Sequence, residues 1–159
     1  MELLEEFKYK NNIERYFLIL NNLVYLYNIS KEYHLGYKTA SQGIEYIFSG
    51  SNYELCVKTL VMNYLFSMLM LGRFEEIISF IDVIIFDYKY LNPLASAIYL
   101  IAAKKTNQFN VYDNKIIKEN TSKSFNIIRD FLINEDVDVL ENLKVVPYLI
   151  EIKHLLTYK

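Results

Sequence analysis

Cysteine, histidine and paired carboxylates build most metal sites, nucleophiles and acid–base pairs, and this chain holds few of them. The single cysteine, Cys56, and the two histidines, His34 and His154, stand far apart, so no zinc-ligand spacing exists. One cysteine forms no internal disulfide, which fits a reducing compartment, and Cys56 reads as a small buried hydrophobe. His34 lies beside Tyr33 at a predicted turn and reads as solvated. His154 lies near the C-terminal end of a predicted helix, where a cation is favourable. Glu75 and Glu76 are neighbours, and neighbouring helical residues do not face each other, so they form a solvated face rather than an acid–base pair. The acidic stretch from Glu135 to Glu141 lacks the glycine and alternating oxygen ligands of a calcium loop. No glycine-rich phosphate loop and no Gly-x-Ser-x-Gly elbow occurs. The expectation is a protein that is not an enzyme and uses no cofactor.

What remains is a chain built to pack. It has 159 residues, 53% of them hydrophobic and 23% charged, which fits one globular domain with a sizeable core. Aromatic residues are plentiful, with 15 Tyr and 10 Phe but no Trp. A net charge of −2 gives no electrostatic footprint for direct nucleic-acid contact, and Lys115, Lys118, Lys123 and Arg129 make only a modest basic run. The uncharged runs 16–30, 59–72 and 91–103 are too short to span a membrane and carry Asn21, Asn22 and Asn63. The start, with Glu2, Glu5 and Glu6, is acidic where a secretion signal is basic, so a cytoplasmic location is expected. The two Asn-x-Ser/Thr matches at Asn28 and Asn120 then read as chance.

Apolar residues recur at helical spacing along nearly the whole chain. A short amphipathic lead over residues 2–9 carries Leu3, Leu4 and Phe7, and Asn11-Asn12 breaks it. Helices are predicted over 13–29 and 32–48, separated by a turn over 30–33. A loop follows over 49–52, where Ser51 and Glu54 form a capping box for a third helix over 52–71. A fourth spans 73–88. Asn92 and Pro93 supply an N-cap and a proline at the first position of a fifth, over 93–106. Residues 107–120 read as an irregular connector, and Asn120 or Thr121 caps a sixth helix ending near Ile133. Glu135, Asp136 and Asp138 would occupy the first turn of a seventh, which Pro147 kinks or splits.

Residues 71–80 organise this pattern. A hydrophobic helix stops at Gly72, Phe74 follows, and a second amphipathic helix begins with Ile77 inward. A shift of 37 residues aligns Val24 with Val61 and Ile98, Tyr27 with Tyr64, Tyr37 with Phe74, and Ile44 with Ile81. This resembles the tetratricopeptide repeat over about residues 21–133. Departures are Leu35 in the place of Gly72, Ile77 in the place of the usual alanine, and no Trp in the first helix. The resemblance implies an all-α fold, an antiparallel stack of helical hairpins over about 12–49, 52–89 and 93–133, with a capping helix over about 135–158, in one helical-repeat domain.

The resemblance extends loosely to the repeat domains of Gram-positive peptide-sensing transcription regulators. It therefore implies a non-enzymatic binding module, with a peptide or protein segment held in the concave groove. In such repeats the ligand-facing positions lie one, four, five and eight residues after the opening of each first helix. With openings at Asn21, Lys58 and Ala95, these positions are Asn22, Tyr25, Leu26 and Ile29, then Thr59, Met62, Asn63 and Phe66, then Ser96, Tyr99, Leu100 and Ala103. Asn63 would align a peptide backbone, and Tyr25, Phe66 and Tyr99 would supply contact area. No Lys or Arg occurs among these positions, so a terminal carboxylate would find no partner there. The alternative is a structural, oligomerisation or immunity-type inhibitory protein acting by surface contact. Leu149, Ile152, Leu155 and Leu156 then form either the cap of the stack or a homodimer seam.

Overall fold

The computed structural model describes residues 13–47, 54–84, 92–111, 122–144 and 146–158. Every regular element among them is helical. The first compact unit, Met1–Leu71, holds α1 (Ile13–Ile29), α2 (Tyr33–Ile47) and α3 (Glu54–Met70). The second, Gly72–Lys159, holds α4 (Phe74–Ile84), α5 (Pro93–Lys105), α6 (Lys123–Asn134), a 3-10 helix (Val137–Asn142) and α7 (Leu149–Thr157).

In the first unit each helix packs against the other two. The close approach depends on one face of α2, where Gly36, Ala40 and Gly43 recur at helical spacing and are all buried. A Cβ at Gly43 would fall on the methyls of Leu20 and Leu60. A Cβ at Gly36 would lie 2.7 Å from Asn28 Oδ1 and 2.8 Å from Ser67 Oγ. The backbone of α2 thus sits directly against α1 and α3. Phe17, Leu20 and Val24 of α1, Ile44 of α2 and Leu60 of α3 are all buried in this unit. Fully burying each large side chain contributes about 1.5–3 kcal/mol. Aromatic pairs hold α2 to α3: Tyr37 stacks on Tyr64 at 5.2 Å, and Tyr33 meets Phe66 edge-on at 6.2 Å.

In the second unit α5 packs against α4 and α6, and the 3-10 helix packs on α6. The residues of α5 from Ala95 to Ala103 are all buried, which a helix apolar all round requires. Ile77 and Ile81 of α4, Phe125 and Ile128 of α6, and Leu140 of the 3-10 helix are buried with them. The last helix buries Leu149 and Ile152, and its Lys153 bonds Glu141 at 2.7 Å. No helix among the described residues is long and apolar enough to cross a membrane.

The helix ends explain where the one-dimensional pattern succeeds. The bounds of α1 fall at the expected positions. Asn92 caps α5 through its side chain, 2.8 Å from the Ala95 amide, with Pro93 at the first helical position. Gly72 adopts the left-handed conformation, φ 70°, two residues beyond α3. Two other helices turn left-handed at the same place, two residues past their ends, without glycine. Lys31, φ 63°, follows α1, and Asn107, φ 60°, follows α5. Each builds a paired closure: Lys31 N–H to Asn28 O and Glu32 N–H to Tyr27 O, then Asn107 N–H to Lys104 O and Gln108 N–H to Ala103 O. Lys31, not Leu35, is therefore the first-turn counterpart of Gly72, and these left-handed positions do not repeat at an even step.

Three expectations are corrected. Ser122, not Asn120 or Thr121, caps α6, accepting from the Phe125 amide at 3.2 Å. Glu135 does not open a seventh helix; it closes α6 in the left-handed conformation, φ 57°. The continuous cap over 135–158 is replaced by the 3-10 helix, begun by Asp136 accepting from the Asp138 amide, and by the separate α7. Pro147 lies in the turn between them, so it splits the segment rather than kinking it. The lead helix, the loop over 49–52 with its Ser51–Glu54 box, the Cys56 side chain, the end of α4 near residue 88 and the connector beyond residue 111 lie outside the described residues.

The turn geometry sets a pair of opposite outcomes. Nothing lies within 4 Å of a Cβ at Gly72, so substitution there is penalised by the backbone alone. Gly72→Val is expected to lower unfolding free energy by about 1 kcal/mol or more, and Lys31→Gly to raise it by up to about 1 kcal/mol. Urea titrations of both variants check the assignment; an unchanged midpoint for Gly72→Val would contradict it.

Candidate functional site

The groove positions inferred from the repeat divide sharply by helix. The four on α1 stay at the surface. Leu26 is 52% exposed, Ile29 44% and Tyr25 39%, and Asn22 is exposed with them. Leu18, 55% exposed, lies on the same face one turn earlier. It precedes the repeat's opening position, so the repeat pattern does not point to it; the heptad spacing below does. Leu18, Asn22, Tyr25 and Ile29 follow a four-three-four spacing, the a/d spacing of a coiled-coil seam, with Leu26 on its flank. Tyr16, Phe17, Leu20, Val24 and Asn28 occupy the opposite, buried face. Thus α1 is apolar on both sides, and only one side is used in the core.

The positions on α3 and α5 lie mostly inside. Thr59 and Met62 are half-buried, while Asn63, Phe66, Ser96, Tyr99, Leu100 and Ala103 are buried. Tyr99 donates its hydroxyl to Asp82 Oδ1 at 2.8 Å and thereby ties α5 to α4. This bond resolves the difficulty of a fully buried phenol.

Asn63 belongs to a polar seam between α1 and α3. Its side-chain amide donates to Asn21, at 3.4 Å to Oδ1 and 3.5 Å to the backbone oxygen. The side-chain amide of Asn28 donates to Asn63 O at 3.0 Å. Ser67 donates toward Asn28 Oδ1 at 2.7 Å and lies 3.1 Å from Asn63 O. All four residues are buried, and Gly36 of α2 lies directly over Asn28 and Ser67. A buried amide without partners costs about 1–3 kcal/mol, so these groups stabilise one another only while the helices keep this register. The seam does to Asn63 what a bound peptide backbone would do.

No protein-family model, curated protein or solved structure matches this chain. The residues alone carry the functional argument. Among the described residues no group of His, Cys, Asp and Glu is placed to hold a metal ion. His34 and His154 are exposed, the latter edge-on to Tyr158 at 6.1 Å. Glu76 pairs with Arg73 at 2.6 Å, and Glu75 is exposed beside it in the first turn of α4. Leu149 and Ile152 of the expected dimer seam are buried, and Leu155 and Leu156 are half-buried. The described face on which several large apolar side chains of one helix remain exposed together is that of α1.

The seam predicts coupled stability effects. Gly36→Ala presses a methyl into Asn28 and Ser67 and is expected to cost about 1–3 kcal/mol. Asn28→Ala removes the bonds to Asn63 O and from Ser67 Oγ and is expected to cost about 2 kcal/mol. The double variant should be more stable than the sum of the two by about 1 kcal/mol, because removing the Asn28 side chain opens space for the methyl. Strict additivity in chemical denaturation would contradict this packing.

Proposed function

We propose that this chain is a non-enzymatic binding module that takes an apolar helix of a partner protein along the outer face of α1. The observation that carries this is the exposed seam of Leu18, Asn22, Tyr25 and Ile29, flanked by Leu26. Three consecutive helical turns present it, a length of about 16 Å at 1.5 Å per residue. Contiguous exposed apolar surface of this kind marks interaction sites. The four-three-four spacing suits a second helix packed side by side, with knobs entering holes. Asn22 sits at a core position of the seam, where an amide fixes register and limits the choice of partner. Tyr25 brings a large aromatic surface of the type that dominates binding hot spots. The packing of α1 against both α2 and α3 supports the tetratricopeptide-like reading of about residues 21–133. In this reading the binding determinants are those of the first hairpin, and Asn63, Phe66, Ser96 and Tyr99 support the scaffold.

A photo-crosslinking side chain at position 25 is expected to trap a partner that one at Lys38, exposed on α2, does not. With that partner in hand, Leu26→Asp and Ile29→Asp should each weaken binding by more than about 1 kcal/mol without moving the thermal midpoint. Analytical ultracentrifugation decides whether the trapped partner is a second copy. If both charged variants bind as the parent does, the α1 face is not the site.

A further inference from the structure

The second unit contains a cavity of about 520 Å³, within the range of small-molecule sites. It lies where three helices end. Lys104 and Lys105 come from the last turn of α5, Phe131 and Leu132 from α6, and Leu156 and Thr157 from α7. Glu135, the left-handed residue that closes α6, and Val137, the first residue of the 3-10 helix, complete the described lining. Four of these side chains are apolar, and they face two cations and one carboxylate.

The charges are not equivalent. Lys104 is already engaged: its Nζ lies 3.3 Å from Glu135 Oε1 and 5.8 Å from the centre of the Phe109 ring. Thr157 donates its hydroxyl to Lys153 O at 2.8 Å, so it offers the cavity no proton. Lys105 is exposed and has no carboxylate partner among the described residues. The lining therefore holds one unmatched positive charge beside an apolar wall of Phe131, Leu132, Val137 and Leu156. Such a wall excludes water from one side of an ion pair and favours a ligand that is anionic at one end only.

We propose that this cavity binds a monocarboxylate carrying an apolar chain, with Lys105 receiving the carboxylate and the Phe131–Leu156 side receiving the chain. Lys105 is the specificity-determining residue, because the apolar wall alone would accept a neutral chain equally well. Glu135 tunes the site by holding Lys104 away from the ligand. The same chemistry is offered by a free medium-chain acid and by the C-terminal end of an apolar peptide. The site lies in the second unit and does not depend on the α1 face.

Calorimetric titration of the full chain with octanoate and with octan-1-ol tests the assignment. Octanoate is expected to bind about tenfold or more tightly than the alcohol, the usual effect of a hydrogen bond to a charged group. Lys105→Gln should erase that preference and Lys105→Arg should keep it. Glu135→Gln should tighten octanoate by releasing Lys104. A short Ala-Leu-Leu peptide with a free or an amidated C-terminus separates the two sources: binding of the free form alone extends the site to chain ends, and binding of neither peptide restricts it to free acids. Equal affinity for acid and alcohol, an unchanged octanoate affinity in Lys105→Gln, or no octanoate binding at all would overturn the proposal.

Discussion

A buried amide must be bonded, and in the first unit that requirement governs the placement of all three helices. Asn21, Asn28, Asn63 and Ser67 satisfy one another only at one register of α1 against α3. That register needs α2 close enough to seal the seam from water. The small face of Gly36, Ala40 and Gly43 makes this approach sterically feasible. A one-residue slip would bring large side chains of α1 and α3 against α2 and leave several amides without partners. Apolar packing supplies most of the stability, and the amides decide which packing is reached.

The same division separates what is legible in the chain from what is not. Periodicity and side-chain caps are written in residue types, so α1, the Asn92–Pro93 start of α5 and the Gly72 turn are read correctly. The closures at Lys31 and Asn107 are made by backbone groups, and a lysine in the left-handed region gives no compositional sign of it. Ser122 does not stand out in the sequence from its neighbours Asn120 and Thr121, which are equally competent cap types. Glu135 looked like a first-turn acid because it stands beside Asp136, which does begin a helical segment.

For the candidate site, the repeat pattern that the chain resembles picks out Asn22, Tyr25, Leu26 and Ile29, which share one face of α1. It could not tell on which helices that face stays open. Asn63 and Tyr99 carry the chemistry of ligand contacts, and that chemistry serves equally well between helices: Asn63 toward Asn21 and Tyr99 toward Asp82. An amide or phenol in an apolar helix signals a required partner and leaves open whether the partner is the chain itself. The cavity beside Lys105 is illegible in the sequence for a related reason. Its lining residues Phe131, Val137 and Leu156 come from distant segments, and no local spacing brings them together.

The seam also bears on how the chain is born. Its donors and acceptors all lie within Met1–Leu71, and the longest of these bonds in sequence joins residues 42 positions apart. These separations of 35–42 residues between α1 and α3 all fall inside one unit, and domains made on the ribosome fold as units. The amides of α1 therefore wait, hydrated, only until α3 has emerged. From that moment Asn28, Asn63 and Ser67 have their acceptors in the seam, while the residues beyond Gly72 are still being added.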